Sequence, residues 1–182
     1  MFFVEKEFVN TIEVTKSKFS AYLCPYKDFE ALMTRLKSTH PKARHFVYAY
    51  RFLNEFDQII ENSSDDGEPR GTSGKPTLAV LGGNELINSA IIIVRYFGGT
   101  KLGTGGLVRA YSDAANEVIK ISTLKEYKKL LIHTIEVEYS ELSKLEYTLH
   151  SLGLEIISKN FDTKVILEVS GTQEQLNQIN SY

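Results

Sequence analysis

The chain of 182 residues carries 21 basic and 23 acidic side chains, which gives a formal net charge of −2 at pH 7. Hydrophobic residues make up 42% and charged residues 24% of the sequence, proportions that exclude disordered and collagen-like proteins. The length allows one domain or two small ones. The longest purely apolar run covers residues 90–94, far short of the ~20 residues that a membrane helix needs, so we expect no membrane association.

The N-terminus and the cysteine content indicate the compartment. Glu5 and Glu7 interrupt the stretch where a signal peptide would have its apolar core. Cys24 is the single cysteine, which forbids an internal disulfide and fits a reducing environment. The sequence therefore predicts a cytoplasmic protein; it leaves the oligomeric state open, with a monomer as the default expectation.

Hydrophobic periodicity predicts strands on both sides of a helix in the first third of the chain. Apolar residues at the i, i+3, i+4 and i+7 positions, beginning at Phe29, predict a helix that stops before Pro41. The strands predicted around it cover, in chain order, residues 4–14 (a strand or the start of a hairpin), 18–25 and 45–53, with Ile59 and Ile60 in the hairpin partner of the last.

Glycine dominates the next region, because 10 of the 12 glycines lie between Gly67 and Gly106. Such a concentration indicates backbone that bends sharply or approaches something closely. Residues 63–75 form a polar loop, and residues 76–83 could be a short helix or a strand. Residues 89–97 are apolar on both faces, which predicts a buried central strand. A helix with an apolar stripe at residues 107–118 follows, capped by Thr104 and the next two glycines.

The last part of the chain predicts a separate module. Its order is strand, helix, strand, strand, helix, which is typical of a ferredoxin-like module that lacks its final strand. We place the first domain at residues 1–124 and the second at 127–182. The elements predicted in the second are, in chain order, residues 129–139, 141–151, 155–159, 165–170 and 172–180.

The acidic loop, residues 63–75, is the first candidate site. Asp65, Asp66 and Glu68 are three carboxylates within four residues and could hold a hard cation such as Mg²⁺. Neither the calcium-loop spacing nor a second coordinating cluster is present, so the alternative is a solvated turn in which aspartate caps a bend. The loop is long for a small domain, which favours a functional role.

The Gly-rich loop, residues 95–109, is the second candidate. It runs from a buried strand into a helix N-terminus, where free N–H groups and the helix dipole favour an anion. Its spacing fits neither a P-loop nor a dinucleotide fingerprint. The alternative is that the glycines only let the helix pack tightly on the strand. The candidate anion-binding residues are Arg95, Tyr96, Gly98, Gly99, Lys101, Gly103, Thr104, Gly105, Gly106 and Arg109, with Arg70 and Lys75 from the acidic loop.

Four stretches resemble the YigZ/IMPACT family: KSKF (16–19), HPKARHFVYAY (40–50), SDDGEPRGTSGKP (64–76) and VRYFGGTKLGTGGLVRAY (94–111). The resemblance covers about residues 13–120. It implies an α+β protein, with an N-terminal α/β sandwich of the ribosomal-protein/GHMP-kinase superfold and a ferredoxin-like second domain similar to one in elongation factor G. Bacterial members of the family usually continue into a last strand, whereas this chain ends at Tyr182.

The resemblance also implies a type of function. Eukaryotic members regulate translation under stress through protein partners that control an initiation-factor kinase, and nucleic-acid binding has been proposed for bacterial members. No catalytic residue, metal or other cofactor is implied. The family's signature surface corresponds to Asp65, Asp66, Gly67, Glu68, Pro69, Gly71, Gly74, Lys75, Pro76, Arg95, Tyr96, Gly98, Gly99, Gly103, Thr104, Gly105 and Gly106.

Three functional hypotheses follow. The first is a regulatory protein linked to translation, which binds RNA, the ribosome or a translation-associated partner through the Gly-rich loop. The second is a protein–protein module that uses the acidic loop and binds no nucleic acid. The third is a metal-dependent enzyme acting on a phosphorylated small molecule, which requires the two loops to face one cleft.

Overall fold

The computed structural model describes residues 1–179 and confirms the α+β class. The chain divides into two compact units, of which the first is Met1–Tyr127 and the second begins at Lys128. Within the described residues, no helix is long and apolar enough to cross a membrane.

A five-stranded antiparallel sheet forms the centre of the first unit. Its strand order is β2-β3-β6-β4-β5, and a separate short pair joins β1 to β7. Three α-helices and a short 3₁₀ helix (Tyr26–Asp28) complete the unit. The elements are β1 (Phe2–Phe3), β2 (Phe8–Val14), β3 (Ser17–Pro25), α1 (Phe29–Thr39), β4 (His45–Leu53), β5 (Ile59–Ser64), α2 (Gly74–Gly83), β6 (Ser89–Tyr96), α3 (Gly103–Lys120) and β7 (Lys125–Glu126).

Strand β6 is buried on both faces, as its continuous apolar sequence predicts. Ile91 and Ile93 pack into the core formed with α2 and α3, whereas Ile92 and Val94 pack into the core formed with α1. The α1 core also holds Cys24, and burial raises the pKa of its thiol to about 12. The sheet is thus covered by helices on both faces.

Two local predictions change in the structure. Residues 76–83, which the sequence left between helix and strand, belong to helix α2. The predicted cap at Thr104 is wrong, because α3 already begins at Gly103, directly after Leu102. Gly103 has a φ of +73°, in the left-handed region that glycine adopts readily. The chain can therefore turn into the helix at Gly103, one residue earlier than predicted.

The residues that follow α3 still belong to the first unit, up to Tyr127. Strand β7 pairs with β1, with Phe2 opposite Glu126 and Phe3 opposite Lys125. The backbone N–H of Tyr127 donates to the carbonyl of Met1 at 2.9 Å. The first unit therefore extends through Tyr127.

The second unit has the strand–helix–strand–strand–helix order that the sequence predicts. Its three-stranded antiparallel sheet has the order β8-β10-β9, and Leu149, Val165, Leu167 and Val169 are central in its core. The predicted end of the last helix at residue 180 lies outside the described residues. The elements are β8 (Leu131–Val137), α4 (Leu142–Ser151), β9 (Glu155–Phe161), β10 (Val165–Gly171) and α5 (Gln173–Ile179).

Candidate functional site

Two neighbouring cavities lie where β6 ends and β4 begins. We call the larger one, with a volume of about 650 Å³, the basic basin; the smaller one, of about 330 Å³, is the helix-end cleft. Arg95, Phe97 and Lys101 line both. The other residues of the basic basin are Lys42, Arg44, His45 and Tyr96, and those of the helix-end cleft are Glu68, Pro69, Leu102, Gly103, Thr104 and Leu107.

The sheet register assembles the basic basin from distant parts of the sequence. Strands β4 and β6 are antiparallel, and His45 pairs with Arg95. This pairing brings the segment just before β4, with Lys42 and Arg44, beside the loop that leaves β6. Among the described residues no carboxylate forms an ion pair with Lys42, Arg44 or Lys101, so the basin carries a net positive charge.

A buried ion pair forms part of the cavity walls, since Arg95 lines both cavities and Glu68 lines the helix-end cleft. Arg95 Nη1 donates to Glu68 Oε1 at 2.6 Å, and their side chains are only 7% and 4% exposed. The Tyr111 hydroxyl donates to the same carboxylate oxygen at 2.8 Å. Burial, helped by the charge of Glu68, raises the pKa of Tyr111 well above its usual range. The carboxylate of Glu68 is therefore already bound by two hydrogen-bond donors of the same chain.

One buried nitrogen of Arg95 is without a hydrogen-bond partner within residues 1–179. Its Nε is buried and has no hydrogen-bond partner among the described residues. The guanidinium carbon lies 5.4 Å from the ring centre of Phe19 and 5.8 Å from that of Phe97. Such cation–π contacts are stronger when the cation is shielded from water. Arg95 is thus fixed by the carboxylate of Glu68 and by two aromatic rings.

His45 has a defined tautomer in its neutral form. Its Nδ1 lies 2.9 Å from the backbone carbonyl oxygen of Asp66, and because a carbonyl only accepts, Nδ1 must carry the proton. The other ring nitrogen, Nε2, lies 4.0 Å from Glu68 Oε1 and lacks a proton in the neutral ring.

Asp65 fixes the start of helix α2. Its Oδ2 accepts from the backbone N–H of Gly71 at 2.7 Å, and its Oδ1 accepts from Ser73 at 3.1 Å and from Gly74 at 2.8 Å. Burial alone would raise the pKa of Asp65, but these three donors and the charge of Lys75 outweigh it, and the pKa lies below its ordinary value. The carboxylate acts as a cap supplied from outside the helix.

We expect Asp65→Asn to destabilise the first unit by about 1 kcal/mol at pH 7, because the amide nitrogen faces a backbone N–H that needs an acceptor. A lowered folded-state pKa means that the carboxylate stabilises the fold above about pH 4 and loses this effect as the pH falls through the folded value. Urea unfolding at several pH values should therefore show a difference that shrinks in acid.

The matched control for this prediction is Asp113→Asn, since Asp113 is an exposed carboxylate on α3. Its unfolding free energy should follow that of the unmodified protein at every pH. A constant difference between Asp65→Asn and the unmodified protein from pH 7 to pH 3 would contradict the assignment of Asp65 as the charged cap.

Asp66 attaches the acidic loop to the first residues of β4. Its carboxylate accepts from the backbone N–H of Phe46 at 2.7 Å, and its carbonyl accepts from His45. The residue has a φ of +41°, which is costly for a side chain other than glycine and is maintained by these contacts. Asp65, Asp66 and Glu68 thus have different partners, and residues 1–179 contain no group of three or more metal-ligating side chains placed for one ion.

The glycines of the Gly-rich loop serve different purposes. A Cβ at Gly98 would lie 2.1 Å from the carbonyl carbon of Lys16, so this glycine permits close backbone contact. The Gly98 N–H also donates to Ser17 Oγ at 3.0 Å. At Gly105, by contrast, a Cβ would meet nothing within 4 Å. Gly103, Thr104 and Gly105 are exposed, so the first turn of α3 is open to solvent.

The structure brings only some of the candidate residues together. Arg95, Tyr96, Lys101, Gly103, Thr104 and Glu68 line the two cavities. Both loops contribute to the helix-end cleft, the arrangement that the enzyme hypothesis requires. The candidates that line neither cavity are Arg70, Lys75, Arg109, Gly98, Gly99, Gly105, Gly106, Asp65 and Asp66.

Sequence reasoning missed four residues of the basic basin: Lys42, Arg44, His45 and Phe97. The available signal was the run of basic residues directly before an aromatic strand. That run becomes informative only once β4 is known to pair with β6 in an antiparallel register, which places the start of one beside the end of the other.

The comparisons with known proteins agree with one another. Residues 15–119 match the family described as Impact N-terminal domain. An IMPACT family member of Haemophilus influenzae is 32% identical over 172 residues, which are 93% of this chain and 84% of that protein. The IMPACT family member YigZ of Escherichia coli is 35% identical over 161 residues, 87% of this chain and 79% of that protein.

A solved structure supports the same relationship. The crystal structure of a hypothetical protein, 31% identical in sequence, matches with a TM-score of 0.69 and covers 99% of this chain and 89% of its own. The family match spans both loops and every residue that lines the basic basin and the helix-end cleft. The chain belongs to the IMPACT family.

Proposed function

We propose that this protein is a regulatory binding protein linked to translation, and that its basic basin holds phosphate groups of RNA. The link to translation rests on membership of the IMPACT family. The resemblance to this family implies regulation of translation, as in its eukaryotic members. The RNA-binding part rests on the chemistry of the basin.

The observation that carries the proposal is the grouping of Lys42, Arg44 and Lys101 around one cavity, where no carboxylate of residues 1–179 forms an ion pair with them. Phosphate oxygens are the natural partners of such a group. Arg95 contributes less net charge, because Glu68 already neutralises it. The open first turn of α3 adds backbone N–H groups beside Lys101, where the helix dipole favours an anion.

The number of cations sets the expected strength of binding. For single-stranded nucleic acid, each neutralised phosphate contributes about −0.7 to the slope of log affinity against log salt. Three contacts therefore predict a slope of roughly −2 and weak binding at physiological salt. This behaviour suits a reversible regulatory contact better than a permanent RNA–protein complex.

We expect Lys42→Ala combined with Lys101→Ala to weaken binding of an RNA oligonucleotide by about tenfold or more at low salt, because two of three phosphate contacts are lost. The slope should fall by about 1.4. Fluorescence anisotropy of a labelled oligonucleotide at several salt concentrations measures both quantities. Inorganic polyphosphate, used as a competitor, should displace the RNA from the unmodified protein.

Lys27→Ala is the matched control. Lys27 is exposed and follows β3, whose last residue pairs with the first residue of β6, so it lies at the opposite end of the sheet from the basic basin. Its removal changes the net charge by one without touching the basin. Equal weakening in Lys27→Ala and in a single Lys101→Ala variant, or unchanged RNA binding in the double variant, would contradict the proposal.

A further inference from the structure

We propose that Phe97 is a stacking platform for an unpaired base, so that the basic basin takes single-stranded nucleic acid in preference to duplexes. This inference rests on the proposed function, because it specifies which form of nucleic acid the phosphate-binding basin accepts. It adds an apolar contact to an interaction that the cations alone would make purely electrostatic.

The position of the Phe97 ring is the first argument. The side chain is 59% exposed although it is large and apolar, and it lies directly beside the cations of the basin. The guanidinium of Arg95 lies over the ring at 5.8 Å and is itself fixed by Glu68 and Phe19. The ring is therefore supported by a buried group and offers its remaining surface to a ligand.

The composition of the basin is the second argument. An aromatic face surrounded by Lys42, Arg44 and Lys101 combines the two elements that bind single strands, a ring for stacking and cations for the backbone phosphates. The volume of about 650 Å³ is within the range of cavities that hold small molecules, which is the size class of a nucleotide. A bare phosphate would leave the ring unused, and a duplex keeps its base faces stacked and inaccessible.

Phe56 provides the matched control, as a second exposed phenylalanine of the same unit. It is 72% exposed in the turn between β4 and β5, and its chain neighbours are Glu55 and Asp57. An exposed ring with an acidic residue on either side in the chain should not bind an anionic polymer. An effect specific to Phe97 can thus be separated from non-specific binding to an exposed aromatic side chain.

The absence of tryptophan from the sequence makes a direct test possible. Phe97→Trp and Phe56→Trp each introduce a single tryptophan. We expect single-stranded RNA and single-stranded DNA both to quench the emission of the Phe97→Trp variant, because they share the base and phosphate chemistry. The nucleic acid that binds with the higher affinity is then the preferred ligand. Polyphosphate should bind without quenching, and the Phe56→Trp variant should not respond.

Affinity measurements complete the test. Phe97→Ala should weaken single-strand binding by about 5- to 100-fold, the range for one base stacked on an aromatic residue, while the affinity for polyphosphate and the salt slope stay unchanged. Unchanged polyphosphate binding also shows that the variant is folded. Single-strand binding that survives Phe97→Ala, duplex RNA bound as tightly as single strands, or a Phe97→Trp variant that binds RNA without quenching would overturn the stacking proposal.

The failure of the two proposals can be told apart. If the unmodified protein binds neither polyphosphate nor RNA, the phosphate-binding basin is wrong and the stacking proposal fails with it. If both ligands bind and depend on Lys42 and Lys101 but not on Phe97, only the stacking proposal is overturned.

Discussion

Glu68→Ala is expected to destabilise the first unit by about 3–5 kcal/mol, the largest single effect that the site predicts. The substitution removes the only carboxylate that pairs with the buried guanidinium of Arg95 among the described residues. An uncompensated buried charge costs far more than the net value of the pair that it belonged to. The Tyr111 hydroxyl would lose its acceptor at the same time.

Hydrogen exchange of the β6 amides, together with urea unfolding, measures this loss for the first unit separately from the second. The informative comparison is the double variant Glu68→Leu with Arg95→Met, which removes both charges. It should recover most of the stability lost in Glu68→Ala, because a buried pair replaced by apolar side chains is often close to neutral. A loss below about 1 kcal/mol in Glu68→Ala would contradict the buried-pair assignment.

The same contacts change how a protein-partner hypothesis can be tested. Glu68 is buried, and the carboxylate of Asp66 accepts from the backbone of β4. Loss of a partner in Glu68→Ala or Asp66→Ala would therefore report disruption of the acidic loop as well as a lost contact. Arg70 is exposed and has no ion pair among the described residues, so Arg70→Ala probes that surface without removing an internal contact.

Local patterns were sufficient for most of the fold. The apolar run in β6 identified a central strand because burial on both faces leaves no polar alternation, and the stripe beginning at Phe29 identified α1. Residues 76–83 were ambiguous because their apolar sequence suits either element. Part of what stabilises the helix there is Asp65, several residues upstream, whose carboxylate accepts from Ser73 and Gly74.

The candidate site was only partly predictable, because its decisive contacts join residues that are far apart in the sequence. Glycines and basic residues identified the Gly-rich loop as a surface of interest. The acidic loop looked like a solvated turn or a weak metal site, since nothing local shows that Glu68 has Arg95 and Tyr111 as partners. That Lys42 and Arg44 line the basin became evident only from the register of β4 against β6.

Gly98→Ala is expected to destabilise the first unit by at least about 3 kcal/mol, at the upper end of the usual cost of overpacking. A Cβ there would lie 2.1 Å from the carbonyl carbon of Lys16 and 2.3 Å from the backbone nitrogen of Ser17. Backbone atoms cannot rotate away as a flexible side chain can. The Lys16 backbone is already in the left-handed region, with a φ of +64°, so a further shift is costly.

Gly105→Ala is the control, because the added methyl group meets nothing within 4 Å and lies inside helix α3, where alanine is favoured over glycine by up to about 1 kcal/mol. Urea unfolding should therefore separate the two variants in opposite directions. A Gly98→Ala protein within about 0.5 kcal/mol of the unmodified one would contradict the close-contact role. If Gly105→Ala is at least as stable as the unmodified protein but binds polyphosphate more weakly, Gly105 serves to give an anion access to the helix end. Gly98, by contrast, serves tight packing of the backbone.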